Sequence, residues 1–164
     1  MATYGVMQEN WTAVAVADST NFTNAGYLAL QGGSSTQRIN IYEVKIGGLA
    51  SASSPSQMVL ARDSTVGATS LSGGFLTPDD PATANLANPP IQFTNSTTPP
   101  KRSSGQHIRT LGFNTFGGIT RFQLPPDKPI GMLGNTANFG EVSISHLANG
   151  TPGLIDTYMV IEPL

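Results

Sequence analysis

Eighteen glycines and twelve prolines cut this chain of 164 residues into short segments, and short segments between turn formers favour strands over helices. Between the breaks, apolar and polar side chains alternate. In Glu141 to His146 (EVSISH), Val142, Ile144 and His146 oppose Glu141, Ser143 and Ser145. Arg38 to Ile46 is the strongest strand segment, with Asn40, Tyr42, Val44 and Ile46 on one side and Ile39, Ile41, Glu43 and Lys45 on the other. Residues 26–31, 57–63 and 155–162 read as further strands. Residues 107–113 and 119–124 read as a hairpin across Asn114 to Gly118, giving Leu111, Phe113, Phe122 and Leu124 to a core. No stretch sustains a 3.6-residue stripe. The best helical candidate is the short 81–88 stretch, with Asp79 or Asp80 as its cap. The expected fold is all-β: an antiparallel β-sandwich, jelly-roll-like.

Charged residues make up only 11% of the chain, and the polar share falls to Ser, Thr, Asn and Gln, which suit sheet faces and turns better than exposed helices. With a net charge of −2 and no basic run longer than Lys101-Arg102, the footprint that nucleic-acid binding needs is missing. No apolar stretch approaches the ~20 residues of a membrane-spanning helix, and residues 1–10 do not have the pattern of a secretory signal. The absence of cysteine removes disulfides and thiolate chemistry. Four sequons, at Asn10, Asn21, Asn95 and Asn149, are what an Asn- and Thr-rich chain contains by chance, and they are expected to be unglycosylated.

The organisation expected is an N-terminal segment, 1–25, serving as an arm or a first strand, and one sandwich domain, 26–164. One long irregular excursion, 64–106, holds half of the prolines and no convincing long strand. Structureless loops of that length are unusual inside a compact domain, and Leu71, Phe75, Leu76, Leu86, Ile91 and Phe93 argue against plain disorder. They are the candidate partner-binding residues, on an ordered arm that packs on a neighbour or on its own sandwich.

No catalytic constellation emerges. There is no G-x-S-x-G elbow, and the two histidines, His107 and His146, lie in unrelated segments without metal-ligand spacing. Glu43, Glu141 and Glu162 sit within strands, where polar faces supply acids routinely. The Gly-Gly pairs lack the Lys-Ser/Thr of a phosphate loop. The expectation is a non-enzyme with no metal or cofactor. An aromatic sugar site built from Trp11, Tyr4, Tyr27, Tyr42 or Tyr158 is a minor alternative.

The phrases YLALQG at 27–32, RINIYEVKIGG at 38–48, MVLARDST at 58–65, GFNTFGGITRF at 112–122, GEVSISH at 140–146 and GTPG at 150–153 followed by a terminal IEPL together resemble small virion proteins of tailed bacteriophages. The likeness is to capsid decoration (cement) proteins and related jelly-roll components. It covers residues 27–164 as a cadence, without a single diagnostic motif. It implies a homo-oligomer, trimer first, that binds the major capsid protein or other virion proteins in particles assembled in the host bacterial cytoplasm. A receptor- or glycan-binding knob of a fibre or head spike is the alternative. The closing strand adds a residue-level hint. Both of its sides are apolar near the middle, so it is either central in the sandwich or covered by another subunit, with Tyr158 and Val160 as the candidate oligomer interface.

Overall fold

The computed structural model describes residues 2–23, 26–73, 75–82, 86–135, 140–150 and 153–164; at 69–73, 75 and 149–150 the backbone alone is described. Twelve strands follow one another: β1 (Tyr4–Thr12), β2 (Tyr27–Gln31), β3 (Arg38–Gly48), β4 (Pro55–Thr65), β5 (Ala68–Gly73), β6 (Phe75–Pro78), β7 (Ile91–Thr98), β8 (Lys101–Asn114), β9 (Ile119–Gln123), β10 (Ile130–Leu133), β11 (Glu141–Gly150) and β12 (Leu154–Pro163). The described residues contain no helix. Part of the 81–88 candidate, residues 83–85, lies outside the described residues. Beside it, the Asp80 carboxylate accepts a hydrogen bond from the Ala82 amide in a turn.

The strands form two antiparallel sheets. Sheet A runs β10-β3-β12-β1-β6, with β9 also pairing with β3, and sheet B runs β5-β7-β2-β11-β4-β8. Set aside β5 to β7, and the chain crosses between the sheets in jelly-roll order, the first and last strands neighbouring each other at the centre of sheet A. The sandwich expected from sequence is the fold.

Several local expectations are corrected. Residues 107–124 are not a hairpin: β8 pairs with β4 in sheet B, while β9 pairs with β3 in sheet A. The turn between them crosses the sandwich, so Leu111, Phe113, Phe122 and Leu124 converge on the core from both sheets. The 64–106 segment is irregular over only part of its length. β5 and β7 extend sheet B beyond β2, and β6 extends sheet A beyond β1. Their Ser- and Thr-rich sequences carry no apolar alternation to announce a strand. The N-terminal segment supplies β1, a strand flanked by β12 and β6.

In β3 a single alternation cannot hold, because Ile39, Ile41, Val44 and Ile46 are all buried. The register against β12 steps from Ile41↔Ile161 to Glu43↔Val160, leaving Tyr42 as an extra residue. This bulge reverses the parity, so both halves of the strand turn their apolar side inward. β12 lies between β3 and β1, which accounts for its two apolar sides without a second subunit.

The main core fills the space between the sheets with side chains such as Val6, Leu28, Leu30, Ile41, Leu60, Ile144 and Met159. A second, smaller cluster of Val16, Phe22, Tyr27, Ala29 and Phe93 lies on the outer face of sheet B. The β1–β2 connection closes over it. Val16 donates its amide to His146 O, Ser19 to Arg102 O and Phe22 to Pro100 O.

Candidate functional site

An open cleft of about 740 Å³ lies on the outer face of sheet A. Antiparallel register builds its floor. Met7 stands opposite Tyr158, Tyr158 opposite Lys45 and Lys45 opposite Arg121, making one row across four strands. In the next row Asp156 and Ile119 flank Gly47, where an added Cβ would meet nothing within 4 Å, so the missing side chain deepens the floor. The Tyr158 ring covers Gly5, whose added Cβ would lie 3.1 Å from the ring edge.

The charges in the cleft are largely engaged. Arg121 donates to both Glu43 oxygens, at 2.7 and 2.9 Å, and this pair holds the Glu43 carboxyl below its ordinary range. Asp156 accepts the Asn10 amide at 2.8 Å, at the bulge where Asn10 takes a left-handed φ of 51°. Burial, then the charges of Asp79 and Glu43, raises the Tyr158 hydroxyl above its ordinary range. Lys45 is exposed. The lining residues include no serine, cysteine or histidine. Among the described residues no group of three or more His, Cys, Asp and Glu is gathered to hold a metal.

At one end the cleft is lined by Leu49 and Ile119, which are 43% and 68% exposed, and the turn beside it, which adds Gly117 to the lining, carries Phe116 at 59% exposed. Phe116 is held out by an ordered turn. The Thr115 amide donates to Ser54 O, the Ala50 amide to Thr115 O, the Gly48 amide to Gly118 O, and the Phe116 amide to Asn114 Oδ1. Gly117, at φ 70°, supplies the left-handed residue the turn needs.

The residues expected from sequence to bind a partner are placed differently. Leu76 and Leu86 pack against the chain's own main core, and Phe93 is buried in the second cluster. The side chains of Leu71 and Phe75 lie outside the described residues. Of the four whose side chains are described, only Ile91, at 39%, is exposed. Their apolar character belongs to strands and a loop that finish this sandwich. Tyr158 and Val160 are half-buried on the outer face of sheet A, where Tyr158 lines the cleft.

Two features escaped the sequence reading. Arg102 is fully buried on sheet B, donating to Asp18, to the Ser145 hydroxyl and to the Val16 carbonyl, with Phe22 5.6 Å from its guanidinium. Burial acts to raise the Asp18 carboxyl, but Arg102 and His107 outweigh it and hold it below its usual range. Beside them, Asp63 and Glu141 are both fully buried. Burial raises both carboxyls, Glu141 to about 7 and Asp63 well above its ordinary value. The strict alternation of EVSISH did place Glu141 opposite Val142 and Ile144; what it could not reveal is that this second face is covered too. Comparison with protein-family models, with curated proteins and with solved structures returns no match.

Proposed function

We propose that this chain is a non-catalytic structural protein of a phage virion, a decoration protein that binds the assembled capsid shell. The observation that carries this reading is the rigid presentation of Phe116, with Leu49 and Ile119, at the rim of the outer cleft of sheet A. Such a surface suits a protein partner: an apolar anchor surrounded by engaged charges, with one free lysine at the floor. The jelly-roll fold and the resemblance of residues 27–164 to decoration proteins support it further. The attachment surface proposed is this end of the sandwich, in place of the 64–106 segment.

Self-association, trimer first, stays part of the proposal on the resemblance alone, since the central place of β12 removes the argument drawn from its two apolar sides. Light scattering of the purified protein tests that half, and a monomer mass at tens of micromolar would end it. Attachment is tested by co-sedimentation with purified phage shells. Binding at a fixed copy number per shell, lost in Phe116→Ser, supports decoration; no binding, or binding indifferent to Phe116, overturns it.

One observation favours a second reading, the glycan-binding knob. The Tyr158 ring lies against Gly5 in a cleft also lined by Lys45 and Asp156, and an aromatic ring there is a surface on which a sugar ring could stack. Glycan-array binding lost in Tyr158→Ala, with shell binding absent, would favour it.

A further inference from the structure

Across the outer face of sheet B, four polar residues stand side by side on neighbouring strands: Gln31 opposite Glu141, then Asp63, then Arg102 opposite Asp63. The Glu141 and Asp63 carboxyls lie within hydrogen-bonding reach of each other. Every donor around them is directed at their far oxygens. Gln31 Nε2 and the Gly67 amide, the latter at 2.9 Å, donate to Glu141 Oε2, and the Ser143 hydroxyl donates to Asp63 Oδ1 at 2.7 Å. The remaining oxygens, Asp63 Oδ2 and Glu141 Oε1, are buried and receive no hydrogen bond from any described group. Two carboxylates cannot face each other in this way inside a protein, whereas a carboxylic acid donating to a carboxylate can. Gly67 ties the pair to the rest of the fold. Its turn joins β4 to β5, and it lies so close to Phe93 that an added Cβ would come within 2.6 Å of the ring.

We propose that Asp63 and Glu141 share one buried proton that latches the 65–67 turn, and with it the added β5–β7 edge, onto sheet B, and that loss of this proton in alkaline solution loosens that edge. The step is a simple ionisation: the shared proton leaves to solvent, and two facing negative charges remain.

The charged and titratable groups around the pair come from each neighbouring element. Arg102 on β8 favours ionisation of Asp63; Tyr27 on β2 stays neutral, its hydroxyl raised first by burial; Asp18 in the β1–β2 connection is already neutralised by Arg102. His146 on β11 opposes the pair in sign. Burial lowers it, so the folded state prefers it neutral, and its contribution is lost as pH falls below the ordinary histidine range. The carboxyl pair works the other way. Because both groups are raised in the folded state, their contribution is complete below the ordinary carboxyl range and is lost progressively as pH rises from that range through about 7.

The test is thermal unfolding of the whole chain from about pH 5 to about pH 9, read against the variants below so that the opposing slope of His146 cancels. Wild type is expected to lose about 3–5 °C in melting temperature for each pH unit over which one proton is released. Glu141→Gln copies the protonated state: its amide oxygen accepts from Gln31 and Gly67, and its NH2 donates to Asp63. The variant should therefore keep the fold and flatten this slope. Asp63→Asn does the same from the other side and serves as the second variant if the first fails to fold. Hydrogen exchange at the Gly67 amide should accelerate with pH beyond the intrinsic trend in wild type only. A flat wild-type profile, an unchanged slope in either variant, or Gly67 exchange that follows the intrinsic trend would overturn the proposal.

Discussion

The two faces of sheet B are buried by different means. The inner face meets sheet A through Leu28, Leu30, Leu60, Val142 and Ile144, an apolar interior where stability scales with apolar area removed from water. The outer face is closed by a connecting segment and carries Arg102, Asp63 and Glu141 at zero exposure, each held by named hydrogen bonds. The interior tolerates exchange of one apolar shape for another of like volume. The outer seam is all-or-none, because removing one partner strands another in a region without water. The same strands, β2, β4 and β11, therefore obey two sets of rules on their two sides.

The largest effect is expected on the interior side. Trp11 is buried and donates to Thr157 Oγ1 at 3.0 Å; Trp11→Ala should cost about 3–5 kcal/mol in urea unfolding. Arg102→Met tests the seam at similar volume. It leaves the Val16 carbonyl and the Ser145 hydroxyl without their donor, and the expected loss is about 1–3 kcal/mol. If methionine stabilises the protein, the seam is ordinary apolar packing and the contrast between the faces collapses. Phe122→Ala sharpens the interior half. Phe122 is half-buried, so its loss should fall below the about 3–5 kcal/mol of a fully buried ring, and a full-sized loss would show it acting as a central core residue. The smallest effect belongs to the outer cleft, where Arg121→Ala should leave the melting temperature within error, since an exposed ion pair adds little to folding.

How far the sequence foretells each face follows from the same contrast. The alternation in β11 reports one apolar face, and from such segments the sandwich, most of its strands and the location of Val142 and Ile144 are legible. In β2 all five residues are buried, a double covering that the reading of 26–31 as a strand did not include. The Tyr42 bulge was hidden because pattern reading assumes an unbroken period of two, and a single inserted residue assigns half the strand to the wrong side. β5 to β7 stayed invisible because their Ser and Thr lend them no apolar stripe. The buried acids were read as ordinary polar-face residues, since nothing in a strand's own pattern says whether a distant loop closes over it. Of the cleft, Tyr158 was legible as a residue on the outward side of β12; its partners from β1, β3 and β9 depend on strand order, which spacing alone does not give.

The turn that carries Phe116 also has a mechanical meaning. It is bonded to the β3–β4 connection through Ser54 and Ala50, continues from β8 in one sheet and enters β9 in the other. A pull applied at this ring would divide between both layers and meet their ladders as distributed tension. A side chain on a free loop would give way before any such load reached the sheets; this one is mounted where the whole sandwich resists together.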